Sequence, residues 1–130
     1  MTTLPLRLHP GQELRDALQA VLTRHSLSAA FVLQGIGSLS VACLRLAGAS
    51  TAIELRGDLE ILTLAGTLSP DGPHLHMAVS DSDGRVTGGH VAAGCIIRTT
   101  AEVLLALLPA HRFSREIDAG SGYGELVVHP

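Results

Sequence analysis

Apolar residues along 11–25 recur at helical spacing. Leu14, Ala17, Leu18, Val21 and Leu22 occupy positions i, i+3, i+4, i+7 and i+8, one face of an α-helix. Pro10-Gly11 marks its start. Glu13 and Asp16 lie near the end where the helix dipole favours negative charge, and Arg24 and His25 lie near the other. After the helix the period shortens. Residues 29–34 read as a buried strand and 40–46 as another, with Gly35-Ile36-Gly37-Ser38 as the turn between them. A loop over 47–52, a short strand over 52–55 and a long strand over 59–68 follow. Ser69-Pro70-Asp71-Gly72-Pro73 is turn chemistry, and 74–80 alternates as a returning arm. Asp81-Ser82-Asp83-Gly84 is a second turn, and 85–91 is the next arm. Residues 94–100 form a further strand; 101–108 favour helix by composition yet directly continue that strand. Two late strands, 113–117 and 125–128, flank a Gly120-Ser121-Gly122 turn. The pattern predicts an α+β fold: a mainly antiparallel sheet with one or two helices on one face, as a single domain over 1–130.

That alternation places His74 and His76 on the same face of one arm, because strand side chains repeat every second residue. His90 lies on the next arm, and register decides whether it joins them. A three-residue turn, Ser82-Asp83-Gly84, with its glycine in the left-handed conformation, pairs Asp81 with Arg85 and hence His76 with His90. A two-residue turn pairs His90 with Leu75 and sends it to the other face. The turn residues favour the first. Directly opposed side chains have Cβ atoms ~5 Å apart. His74, His76 and His90 are therefore a candidate metal site, with Gly88 and Gly89 removing bulk beside it. Three neutral imidazoles with an open position suit zinc; nickel, copper and iron also accept imidazole, so the residue types do not select the metal. His9, His25, His111 and His129 read as ordinary helix-flanking, loop or terminal histidines.

Composition narrows the function classes. The net charge is −3 and there is no lysine; the nine arginines are scattered, with no basic run. A protein that tracks phosphates needs a basic stripe, so duplex DNA binding is expected to be weak and without sequence preference. No apolar run approaches the ~20 residues that span a bilayer. The first ten residues lack a basic segment followed by an apolar one, so the expectation is a cytoplasmic protein with no membrane partner. Cys43 and Cys95 match no zinc or redox spacing and read as buried, reduced thiols. So apolar a composition in so short a chain predicts a closed homo-oligomer that covers strand edges and apolar patches.

Other candidate chemistry is sparse. Ser38 and Ser40 lack a nucleophile-elbow context, and Gly35-Ile36-Gly37 lacks the rest of either nucleotide fingerprint. Glu60 and Glu102 are carboxylates within apolar stretches. Each is a candidate acceptor for a ligand imidazole N–H or a general base, with an arginine ion pair as the rival role.

Several blocks, in order, resemble the plant and prokaryote conserved (PPC) domain family in its prokaryotic stand-alone type. They are Arg7-Leu8-His9-Pro10-Gly11 and the stretch from Ala30 to Ser38, then Leu64-Ala65-Gly66-Thr67-Leu68 leading to Gly72-Pro73-His74-Leu75-His76. Asp83-Gly84, Gly88-Gly89-His90 and Thr100-Ala101-Glu102-Val103 complete the set. The resemblance implies an α/β domain on an antiparallel sheet, usually a homotrimer. In bacterial and archaeal members it implies a metal, read as zinc, on the histidines matching His74, His76 and His90. Plant members carry a separate AT-hook for the minor groove; the Arg-Gly-Arg-Pro hook does not occur here. The expected function is a zinc-binding PPC-type domain, with a small-molecule ligand at the metal as a further partner. The family brings no established reaction. Two other classes stand beside this reading: a metal-dependent enzyme using a zinc-bound water, with Glu60 or Glu102 as base, and a DNA-associated regulatory or assembly module in which the metal only stabilises the hairpin.

Overall fold

The structure, a computed structural model, describes residues 2–130. Its elements run β1 (Thr2–Leu8), α1 (Leu14–His25), β2 (Ala30–Arg45), β3 (Ile53–Ser69), β4 (Gly72–Ser80), β5 (Val86–Val91), β6 (Ile96–Leu107), β7 (Arg112–Ile117) and β8 (Gly124–His129). The expected α+β class holds, but the balance is more strongly toward sheet, with one short helix among the described residues.

The helix starts later than Pro10-Gly11 suggests. Glu13 is its N-cap, its carboxylate accepting from the Arg15 and Asp16 backbone N–H groups, and Ser26 closes it in the left-handed conformation. Leu14, Leu18, Val21 and Leu22 are buried, the face that the spacing predicts.

Six antiparallel strands form one sheet in the order β1-β6-β2-β3-β4-β5. The end of β2 also pairs with β5, Leu44 opposite Val91 and Arg45 opposite His90, so β2, β3, β4 and β5 close into a ring. Leu39, Leu44, Leu64, Leu75, Val79 and Val91 from these strands, with Leu105 from β6, join the helix leucines in one core.

Two sequence expectations differ from the structure, and one ambiguous segment resolves as strand. Gly35-Ile36-Gly37-Ser38 is not a turn; it lies inside an unbroken β2. Gly37, at φ 152°, lets β2 press against β6, where a Cβ would overlap the Thr100 carbonyl. The segments 52–55 and 59–68 belong to one strand, β3. Residues 101–108 are not helical: Ala101, Val103 and Leu105 alternate into the core while β6 hydrogen-bonds to β1 on one edge and β2 on the other. Two satisfied edges outweigh a local helix preference worth tenths of a kcal/mol per residue, on the order of 0.5.

The β7–β8 pair forms a separate two-stranded sheet. It is held by Phe113, whose N–H donates to the Ser28 carbonyl and whose ring meets Phe31 edge-on at 5.8 Å. No helix of the described residues is long and apolar enough to cross a membrane.

Candidate metal centre

Asp81 builds the turn that positions the site. Its N–H donates to the Arg85 carbonyl, its carbonyl accepts from Gly84 N–H, and its carboxylate accepts from the N–H groups of Asp83 and Arg85. Gly84 sits at φ 77°, the left-handed conformation that this turn requires. The turn spans three residues, and β4 and β5 pair with His76 opposite His90.

Leu75, Met77 and Val79 point into the core, so His74 and His76 point outward; Val91 is buried, so His90 points outward beside them. The ring centroids lie 5.0 Å (His74–His76), 5.3 Å (His74–His90) and 5.7 Å (His76–His90) apart. One ring nitrogen from each lies within 4.8 Å of the others. Tetrahedral zinc with bonds of ~2.0–2.1 Å needs nitrogens about 3.4 Å apart, a closure that side-chain rotation supplies. The Nδ1 of His90 is buried without a hydrogen-bond partner. A buried imidazole nitrogen without a partner is destabilising, and a cation relieves it.

The environment holds two of these rings neutral. Burial lowers the His90 pKa to about 4, helped by the charges of His74, Arg45, His76 and Arg15. Burial also lowers that of His74, with Arg115 and His76 adding to the effect. Neutral imidazole is the form that binds metal.

A cleft of about 580 Å³ opens over His74 and His90. Its other walls come from four places distant in sequence: Arg15 on α1, the end of β2 with its following loop, the β3–β4 turn, and the β7–β8 hairpin. Arg15 ties the helix to this region, donating one Nη to the carbonyls of Pro73 and Val91 at 3.1 and 3.0 Å.

Glu60 and Glu102 do not belong to the site. Both are exposed. Glu60 pairs with Ser80, four residues along β4 from His76, or about 13 Å at the usual strand rise. Glu102 lies on β6 opposite Arg7 and Ile36, and no described arginine forms an ion pair with either carboxylate. The carboxylates that line the cleft are Asp71 and Glu125. Gly89 also has a different role from the one expected. A Cβ there would meet the Arg45 carbonyl oxygen at 2.7 Å, so this glycine lets β5 reach β2 and close the ring. His129 accepts or donates a hydrogen bond with Ser114 at 2.9 Å, away from the cluster. Cys95 is buried and Cys43 partly so; both are free, and the Cys43 N–H donates to the Cys95 sulfur.

A family model described as the Plants and Prokaryotes Conserved (PCC) domain matches residues 1–109. The β7–β8 hairpin lies beyond that match. The solved structure of a hypothetical protein from Salmonella cholerae-suis (Salmonella enterica) is 44% identical, with a TM-score of 0.94 over 98% of this chain and 93% of that one. A metal-containing protein from Archaeoglobus fulgidus shares the fold at 24% identity and a TM-score of 0.82, over 98% of this chain and 94% of that one. A bifunctional GlmU protein from Synechococcus sp. is 50% identical over 126 residues, 97% of this chain and 20% of that protein. The chain thus spans about a fifth of the length of the curated relatives it matches.

Proposed function

This chain belongs to the Plants and Prokaryotes Conserved (PCC, or PPC) domain family, and from that premise we propose that His74, His76 and His90 together bind one divalent metal ion, zinc first among the candidates. The carrying observation is the convergence of one ring nitrogen from each of the three histidines within 4.8 Å on one face, in a cluster where the Nδ1 of His90 is buried without a hydrogen-bond partner. An all-imidazole donor set suits zinc and equally fits nickel, copper or iron. The metal-containing Archaeoglobus protein of the same fold supports the reading. A bound ion would supply a Lewis-acidic position open to an oxygen donor of a small molecule in the cleft. The chain's own part is to hold two imidazoles neutral and to fix the third opposite one of them through the Asp81–Arg85 turn.

Metal content per chain tests this. Wild-type protein purified without chelator is expected to hold one ion per chain. His76→Ala should weaken binding by more than about 100-fold, beyond the 10–100-fold typical of losing a hydrogen-bond partner of a ligand. His90→Ala should act in the same direction, and His111→Ala should leave the content unchanged. Full occupancy in the His76 and His90 variants would exclude this site.

The functional unit in this reading is a homotrimer. Leu33 and Ile36 on β2, Leu62 on β3 and Leu104 on β6 are exposed on the outward side of the sheet. An apolar face of this kind is covered economically by symmetric copies of the same chain. The two free thiols fit a reducing compartment, in keeping with a cytoplasmic location.

A further inference from the structure

Beside the histidines stand two arginines that the metal reading leaves without a role. Arg45 pairs with His90, and His90 pairs with His76, so the three lie in one row across β2, β5 and β4 and share the outward face. Arg115 arrives from the opposite side on β7. Its Nη2 donates to Thr67 Oγ1 at 2.8 Å, its N–H donates to the Asp71 carboxylate at 2.8 Å, and Thr67 is the register partner of His74. Both side chains line the cleft, Arg45 on the His90 side of the cluster and Arg115 on the His74 side. Arg45 commits one Nη to the Ala49 carbonyl at 3.3 Å. The described ion pairs are Arg56–Glu54 and Arg98–Asp58, so neither guanidinium is paired with a carboxylate.

In a chain of net charge −3, Arg15, Arg45 and Arg115 line one cleft with only Asp71 and Glu125 against them. Three imidazoles are neutral donors, so an ion held by them keeps both its charges and adds to the same positive field. A planar guanidinium with free N–H groups matches the oxygens of a carboxylate or phosphoryl group.

We propose that this cleft binds a small molecule bearing a carboxylate or phosphoryl group, held between Arg45 and Arg115 and presented to the three-histidine cluster. The volume of about 580 Å³ admits a metabolite-sized ligand and is far too small for a folded partner. Arg115 is a specificity-determining residue supplied by the β7–β8 hairpin, which lies outside residues 1–109 matched by the family model. The anion site rests on the metal reading only for the ion; the arginine clamp stands on its own geometry.

Calorimetric titration with inorganic phosphate and with malonate distinguishes the two anion types. It is run on zinc-loaded and on chelator-treated protein, with metal content measured on the same samples. One probe is expected to bind at submillimolar concentration. Arg45→Gln and Arg115→Gln should each weaken it at least about tenfold while the metal content stays as in wild type. Arg24→Gln, an equal loss of charge on the helix outside this cleft, should bind as wild type. Binding that survives chelation and is lost in the arginine variants supports the clamp even if the histidines prove metal-free. Absence of binding by both probes to both forms overturns it, as does unchanged affinity in the arginine variants or an equal loss in Arg24→Gln.

Discussion

His90 shows how one residue links burial, charge and stability. Its ring is neutral because burial disfavours the imidazolium, with the neighbouring His74 and Arg45 adding to the effect. In the unfolded chain the same group titrates near ~6.5. The folded pKa is the lower one, so between these values the unfolded state binds more protons. The stabilising contribution is fully present above ~6.5 and is lost as pH falls toward about 4. His74 acts in the same direction. Urea unfolding of the metal-free protein is therefore expected to show stability declining as pH falls through this window, with a shallower decline in His90→Ala. Equal slopes in the two proteins would contradict the assignment. The residue types at 74, 76 and 90 were legible from spacing; the lowered pKa values were not, because they come first from burial in the assembled fold and then from the charges of Arg115, Arg45 and Arg15 arriving from three other elements.

At the level of elements, the β4–β5 hairpin carries the site, and its turn sets which face His90 occupies. Gly84→Ala places a side chain at φ 77°, a left-handed conformation that costs a non-glycine residue about 1–2 kcal/mol. The Asp81 side-chain bonds to Asp83 and Arg85 remain available, so this variant should lose that stability yet keep the His76–His90 pairing and its metal content. Insertion of one residue between Ser82 and Asp83 should do the reverse of the second effect, since a one-residue slip sends His90 to the core face and removes the third ligand. Metal content beside thermal melting separates the two outcomes; an insertion variant with full metal would sink the register argument. The hairpin could be derived because all its determinants are local. Residues 35–38 misled, and 101–108 stayed ambiguous, for the opposite reason. Gly37 looks like turn chemistry but serves a close approach to Thr100, and the helix-favouring 101–108 segment sits between two strands that claim its backbone.

For the whole molecule, closure of β2 through β5 leaves an outward sheet surface with Leu33, Ile36, Leu62 and Leu104 exposed. Light scattering at micromolar concentration is expected to return three chain masses. Leu62→Glu places a charge on that face and should shift the population toward single chains without unfolding them, because Leu62 is not part of the buried core. A monomer mass for the wild type would refute the assembly. Charge is organised at this scale too. Three of the nine arginines line one cleft, a pattern suited to a small anion rather than to a stripe that follows a nucleic-acid backbone.

The sequence alone determined the helix face, the antiparallel character, the three-residue turn and the meeting of His76 with His90, because each follows from local periodicity or from the geometry of one turn. Tertiary structure decided the ring closure and the cleft. Arg45 lies 45 residues from His90 in the chain, and Arg115 lies 25 residues beyond His90 on the other side. No periodic pattern links such positions. They meet only because Gly89 lets β5 pass close to the Arg45 backbone and because Asp71 and Thr67 anchor the β7 strand beside His74. Contacts across separate elements depend on how strands curve and close. That geometry is set by packing of the assembled core, which no single stretch of sequence encodes.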